Sequence, residues 1–237
     1  LEADSKVTPP DFFITPHFHL EEYQEDGLIR DITPLVDKEW LVDHHPKSVT
    51  ALSRGEELYG LPHSFHLPAL YYHTDSVKEP AKTFENLLAQ ARQGKTVAMK
   101  KDFYNLFWGA AAFGCQPCQS GEIFDEQDKV FLTEEDLADW KAWLTEADEL
   151  DAVFFSSNQT VLESLFLQGQ VDYLIADPSF INKAQETLGI ANVGVAPLPQ
   201  GEEEQLSRPF LQVDGFFFYK ETTEEQIGLA LKFAKFA

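Results

Sequence analysis

Short apolar runs alternate with segments of helical period along the whole 237-residue chain, and Gly, Pro or Asp-Pro marks most of the junctions. Four to eight consecutive apolar residues suit a strand, whereas apolar positions three and four apart suit one face of a helix. Repeated alternation restricts the chain to an α/β layering, because apolar sheet faces must be covered by helices. Asp11–Thr15 is the first apolar run, and a helical segment from Phe18 to Asp26 follows, stopped by Gly27. Leu58–Pro62 and Ala69–Tyr72 read as strands, and Thr83 caps a helix with Leu87, Leu88 and Ala91 on one face, ended by Gly94. Val97–Met99 reads as a strand and Tyr104–Phe113 as an aromatic helix. Thr133-Glu-Glu-Asp136 has the form of a capping box with Asp in place of Glu, ahead of Leu137, Trp140 and Leu144 at helical spacing. A helix over Thr160–Leu167, a strand over Val171–Ala176 and a helix from Asp177-Pro178 to Gly189 come next. Val193–Pro197 and Phe216–Tyr219 are strands, and Thr223-Glu224 opens a last helix with Ile227, Ala230, Leu231 and Ala234 as its core face. His44-His45, before Pro46, reads as a surface turn.

Composition narrows the function classes. Asp and Glu number 40 against 18 Lys and Arg, a formal charge of −22. That balance argues against nucleic acid, whose phosphates need Lys and Arg to replace counterions, and against anionic membrane surfaces. With 43% hydrophobic residues the chain can still bury a core. The acidic stretches Asp125–Asp128 and Glu202–Glu204 read as solvated loops. No run of about 18 uncharged apolar residues occurs, so no segment has the character of a membrane-spanning helix. Leu1–Thr8 is polar and lacks the features of a signal peptide. P-loop, Gly-x-Ser-x-Gly, His-Glu-x-x-His and dinucleotide fingerprints are all absent, so the chain is not expected to be an enzyme or to need a cofactor. Carboxylates are plentiful enough for an acidic glycoside hydrolase to be the third reading.

The order of the motifs carries more than any one of them. Pro10-Asp-Phe-Phe-Ile-Thr15 leads to Tyr23-Gln-Glu-Asp-Gly-Leu-Ile29 and Asp31-Ile-Thr-Pro-Leu-Val-Asp37. Leu58-Tyr-Gly-Leu-Pro62, Ala69-Leu-Tyr-Tyr-His-Thr-Asp75 and Pro80-Ala-Lys-Thr-Phe-Glu-Asn-Leu-Leu88 follow. Phe166-Leu-Gln-Gly-Gln-Val-Asp-Tyr-Leu-Ile175, Gly194-Val-Ala-Pro-Leu-Pro199 and Val213-Asp-Gly-Phe216 close the series. From about residue 9 to the end this series resembles the extracellular solute-binding proteins of ABC importers, in particular the maltose-binding-protein-like group. The resemblance implies a two-lobed α/β fold of periplasmic-binding-protein type 2, with the ligand cleft between lobes. Residues 1–73 and 194–237 would form the first lobe and 74–193 the second, with hinge strands near Tyr71–His73 and Asn192–Val195. The family's strand–helix–strand unit before the Pro-Asp motif and its last helices have no counterpart here, which implies a chain lacking both terminal parts. Implied partners are a small-molecule ligand of carbohydrate type and an ABC permease, for a monomer that is periplasmic or extracellular, membrane-anchored or free. A sensory or scaffold domain that keeps the fold without transport is the second reading.

Laid on the family's sugar contacts, Thr15, Phe18 and His19 follow the Pro-Asp strand, and His66 takes the acidic position after the Gly-Leu-Pro strand. Asp102 and Tyr104 match the acidic and aromatic pair, and Pro178, Ser179 and Phe180 stand where the family has its Pro-Trp stacking motif. Of these, only Asp102 and Tyr104 keep the expected chemistry, so the resemblance in fold is firmer than that in ligand. Tyr104 could instead be a core aromatic beside Phe107 and Trp108. Trp140 and Trp143 read as packing residues, and Trp40 has no functional reading. Histidines cluster at His17–His19 and His63–His73, but their spacing fits no metal signature, so hydroxyl recognition is preferred for them. Cys115-Gln-Pro-Cys118 lacks the strand–motif–helix setting of a redox centre, which leaves a local disulfide as the expected state in an oxidising compartment.

Overall fold

Strand pairing sorts the apolar runs into two compact units in the computed structural model, which describes residues 9–102, 106–120, 132–202 and 205–234. One unit comprises residues 1–66 and 211–237, the other residues 67–210.

In the first unit, β1 (Phe12–Pro16), β4 (Gly60–His66) and β10 (Gln212–Phe218) form an antiparallel sheet with β10 at its centre. β10 is buried along Phe216, Phe217 and Phe218, which is why that run is continuously apolar rather than alternating. Phe13 stacks on Phe217 with ring centroids 6.0 Å apart, and Phe12 meets Phe216 at 5.8 Å. Leu20 from α1 (Leu20–Glu25), Leu52, Leu61 and Ile227 complete this core. The closing helix, α10 (Glu224–Ala234), starts at a reciprocal cap: Thr223 N–H donates to Gln226 Oε1 at 2.9 Å, and Gln226 N–H donates to Thr223 Oγ1 at 3.3 Å. Two short helices, α2 (Lys38–Val42) and α3 (Pro46–Ala51), and a hairpin of β2 (Ser53–Arg54) with β3 (Glu57–Leu58) escape the pattern reading. His44-His45 lies in the connection between α2 and α3, and the exposed His45 caps α3, its Nδ1 accepting the Lys47 N–H at 3.3 Å, with Pro46 in the first helical turn. Trp40 is a partly buried member of this unit's core, its ring 4.2 Å from that of His44.

The second unit holds a five-stranded sheet of β5 (Ala69–His73), β6 (Val97–Lys100), β7 (Val153–Ser156), β8 (Tyr173–Ala176) and β9 (Val193–Ala196). The order is β7-β6-β8-β5-β9; β7, β6 and β8 run parallel, and β5 pairs antiparallel with both β8 and β9. The Tyr71–His73 and Asn192–Val195 regions therefore contribute to strands paired within one sheet. Alternation along the strands divides two cores. Leu70, Val97, Met99, Tyr173 and Ile175 join one, whereas Tyr71, Ala98, Leu174 and Ala176 join the other.

Helices α4 (Phe84–Arg92), α5 (Trp108–Ala112), α6 (Gln116–Ser120) and α7 (Ala138–Asp148) contribute to the first of these cores. Phe84 is its hub, stacked on Trp108 at 5.3 Å and edge-on to Trp140 and Trp143 at 5.0 and 4.9 Å. Trp140 and Trp143 are thus packing residues. Helices α8 (Gln159–Leu167) and α9 (Phe180–Leu188) contribute Leu162, Phe166, Phe180 and Ala184 to the other. The Thr133–Asp136 box forms, with Asp136 Oδ2 accepting from Thr133 N–H and Oγ1 at 2.8 and 2.7 Å, although regular helix begins only at Ala138. Cys115, just before α6, forms a buried disulfide with Cys118 inside that helix. Among the described residues no helix is long and apolar enough to cross a membrane. Asp125–Asp128 and Glu203–Glu204 lie outside the described residues.

Gly109 in α5 has its Cα against the Trp140 ring, and an added Cβ would sit 2.4 Å from Cη2 and Cζ2. Gly109→Ala is expected to destabilise the second unit by about 1–3 kcal/mol through overpacking. A urea titration followed by Trp fluorescence measures this; a midpoint equal to wild type would contradict the packing described.

Candidate functional site

Polar side chains converge at one end of the first unit's sheet, where β1 and β4 finish and β10 begins. Pro16 lies opposite Asp214, Asp214 opposite Ser64, and Gln212 opposite His66. Between the Asp214–Ser64 and Gly215–Pro62 pairs the register shifts, so His63 is an extra residue on β4. Such a bulge re-aims the side chains beyond it. Ser64 and His66 consequently share a face with Gln212 and Asp214. His66 Nε2 lies 3.0 Å from Asp214 Oδ2, Ser64 Oγ 3.2 Å from His66 Nε2, and Gln212 Nε2 donates to Asp214 Oδ1 at 3.1 Å. Ser64 and Asp214 contact the same His66 nitrogen, which is not the relay geometry of a nucleophilic triad. Gly215, next along β10, lets the core residue Leu52 pack close, because a Cβ there would lie 2.6 Å from Leu52 Cδ2.

The segment after β1 borders the same strand end. His17 Nδ1 accepts the Val213 N–H at 3.2 Å. Burial holds the His17 pKa below the usual imidazole value of 6.5; Arg54 adds to that depression and Asp214 opposes it. Neutral His17 fits the acceptor role of Nδ1. His19 stacks on Tyr23 with centroids 5.5 Å apart and reaches Glu22 Oε2 at 3.4 Å. Phe18 is 58% exposed, a bare aromatic face beside these imidazoles. Thr15 pairs with Gly215 in the sheet. Thr15 and His66 thus stand on the two strands that flank β10, while Phe18 and His19 follow β1 in the segment that His17 ties to Val213.

In the second unit the candidates lie at the carboxyl ends of the parallel strands, the edge where open α/β sheets place their ligands. Asp102 follows β6, its Oδ2 2.9 Å from Lys100 Nζ, and borders an apolar pocket of about 380 Å³ with Leu106, Phe107 and Leu144. Ser179 follows β8, is exposed, and donates its N–H to Asp177 Oδ1 at 2.9 Å. Phe180 is a correction: it is 4% exposed, wedged against Tyr71 at 5.3 Å and Phe166 at 5.9 Å, so its ring packs the core and offers no face to a ligand. Tyr104 lies outside the described residues. A larger cavity of about 580 Å³ between α4, α7 and the Gln200–Gln205 loop contains none of these side chains; its floor is the Phe84–Trp143 core. Among the described residues no three His, Cys, Asp or Glu side chains converge as a metal site would require.

Sequence reading passes over Ser64, Gln212 and Asp214. Their one local signal is the Asp-Gly pair inside the apolar run of β10, since Gly within a strand often marks a bulge or a close backbone approach.

Comparison with known proteins adds three findings. Residues 1–237 match the family described as bacterial extracellular solute-binding protein. A maltotriose-binding protein of Pyrococcus abyssi (strain GE5 / Orsay) is 26% identical over 241 residues, covering 95% of this chain and 50% of that protein. Among solved structures, a cyclo/maltodextrin-binding protein complexed with maltotetraose superposes with a TM-score of 0.72 at 25% identity, over 95% of this chain and 59% of that one. The GacH receptor of Streptomyces glaucescens GLA.O superposes with a TM-score of 0.77 at 18% identity, over 97% and 61%. The chain thus spans half the length of the curated relative and about 60% of the solved chains.

His17 sets a pH dependence. Its folded pKa is depressed, so its stabilising contribution is complete above about 6.5 and is lost as pH falls below that value through the folded one. His17→Gln keeps an acceptor for Val213 but does not titrate. Wild type should lose thermal stability relative to this variant as pH is lowered from about 8 to about 5, with a slope no steeper than the uptake of one proton on unfolding allows. A constant difference between the two melting curves across that range would refute it.

Proposed function

The chain belongs to the bacterial extracellular solute-binding proteins, and from that membership we propose that it is the ligand-capturing part of an ABC import receptor. Its ligand is a small hydroxyl-rich solute, a sugar, oligosaccharide or polyol, which it delivers to a membrane permease from a periplasmic or extracellular position. The observation that carries this reading is the strand end of the first unit, where Ser64, His66, Gln212 and Asp214 converge and where His17, next to the exposed Phe18, is tied to Val213. A sugar ring needs an apolar face for its C–H groups and fixed donors and acceptors for its hydroxyls, and such mixed surfaces are the usual makeup of small-ligand sites. The ligands named for two of the relatives, maltotriose and maltotetraose, support the same class. His19 and His66 stand where maltose-binding proteins place other chemistry, so the proposal is for the class of hydroxyl-rich ligands and not for maltodextrin alone.

Titration calorimetry against glucose, maltose, maltotriose, maltotetraose, sorbitol and glycerol tests it. One member of the panel should bind saturably at one ligand per chain, and His66→Ala should weaken that binding about tenfold, the scale of a hydrogen bond lost to a polar partner. Silence across the panel would overturn the ligand class.

A further inference from the structure

Asp214 has a chemistry that its neighbours lack. Its Oδ1 accepts from Gln212 Nε2 at 3.1 Å, and its Oδ2 lies 3.0 Å from His66 Nε2 and 3.5 Å from Ser64 Oγ. A carboxylate offers about four lone-pair directions, two on each oxygen. The Gln212 and His66 contacts each fill one well, while the Ser64 contact is at the outer limit of a hydrogen bond and yields to any shorter donor. Each oxygen therefore keeps one direction for a donor from another molecule. The side chain is 22% exposed, so those directions are reachable, and its three partners on β4 and β10 fix the plane of the group.

We propose that Asp214 is the hydroxyl-accepting anchor of the first unit, taking two neighbouring hydroxyls of one ligand, one on each carboxylate oxygen. Ser64, His66 and Gln212 are positioning residues that hold the carboxylate. This rests on the receptor reading above and sharpens it: the ligand presents a neutral vicinal diol at this point. A carboxylate or phosphate there would meet like charge and is rejected, and a ligand lacking one of the two hydroxyls leaves an acceptor unfilled.

Three measurements test the assignment, with maltotriose as the probe. Wild type should bind it, and Asp214→Asn, checked for folding by its thermal melt, should bind at least about tenfold more weakly, since the second acceptor oxygen becomes a donor. In wild type, the 13C resonance of the Asp214 carboxyl should move saturably on adding maltotriose, because new donors change its hydrogen bonding; this needs no variant to fold. Long-range 1H–15N spectra of ligand-free protein should show His66 protonated at Nε2, and Asp214→Asn should disturb that state, a change that loss of packing alone would not produce. If wild type binds and Asp214→Asn binds equally well, or the carboxyl resonance does not move, the anchor role falls while the receptor reading stands. If wild type binds no member of the sugar and polyol panel, the receptor reading falls and takes the anchor with it.

Discussion

Everything in the first unit depends on the backbone ladder that β10 makes with β1 on one side and β4 on the other. The contacts of β10 reach far along the chain: 196 residues separate Val213 from His17 and 148 separate Asp214 from His66. Closing a chain over such a span costs little more than over a short one, because the entropy grows only with the logarithm of length. The intervening residues 67–210 form their own compact unit, so the span is occupied by folded structure and not by loose coil. The sheet supplies the gain through Phe216, Phe217 and Phe218, which β10 buries between its neighbours. The polar strand end is then a by-product of the same pairing: the register that buries the phenylalanines also sets Asp214 opposite Ser64.

That origin explains what can be read in advance. Thr83 and Thr223 announce their helices because a cap is a contact between residues three apart, and the side-chain oxygen of Thr83 does accept the Asn86 N–H at 3.1 Å. Gly94, Gly169 and Gly189 end helices with positive φ, as their positions suggest. Four of the five strands of the second unit are equally legible, because an apolar stretch bounded by Gly or Pro is a local signal; β7, of four residues, is not. By contrast, the bulge at His63 and the hydrogen bond from Val213 to His17 are set by the register between distant strands, and no neighbouring residue encodes it. The helices α2 and α3 hold five and six residues and have no room to show a period. Phe180 is misplaced for another reason. Its neighbours in a motif suggest a ligand, whereas its partner four residues on, Ala184, marks both as one buried helix face.

Charge and shape meet at the strand end in an informative way. A chain of formal charge −22 repels anions in general, yet the carboxylate nearest the candidate site is held by an imidazole, an amide and a hydroxyl instead of a lysine or arginine. None of the three is a permanent cation, and each directs a lone pair of the carboxylate. The site is thereby tuned for neutral donors by what surrounds it as much as by the carboxylate itself.

The bridge between Cys115 and Cys118 has a consequence for how the protein comes to be. Both residues are almost wholly buried, at 1% and 3% exposure, within the aromatic core that Phe84 organises. Thiol exchange needs an attacking thiolate to reach a sulfur, so once the core closes, oxidants and reductants alike act only through local opening. The bond is therefore made while the chain is still folding, and afterwards it hardly equilibrates with its surroundings. The covalent state of this pair becomes a record of the compartment in which the polypeptide folded: two molecules of the same fold, one matured among oxidants and one among reductants, would carry their different histories in a pair of hydrogen atoms.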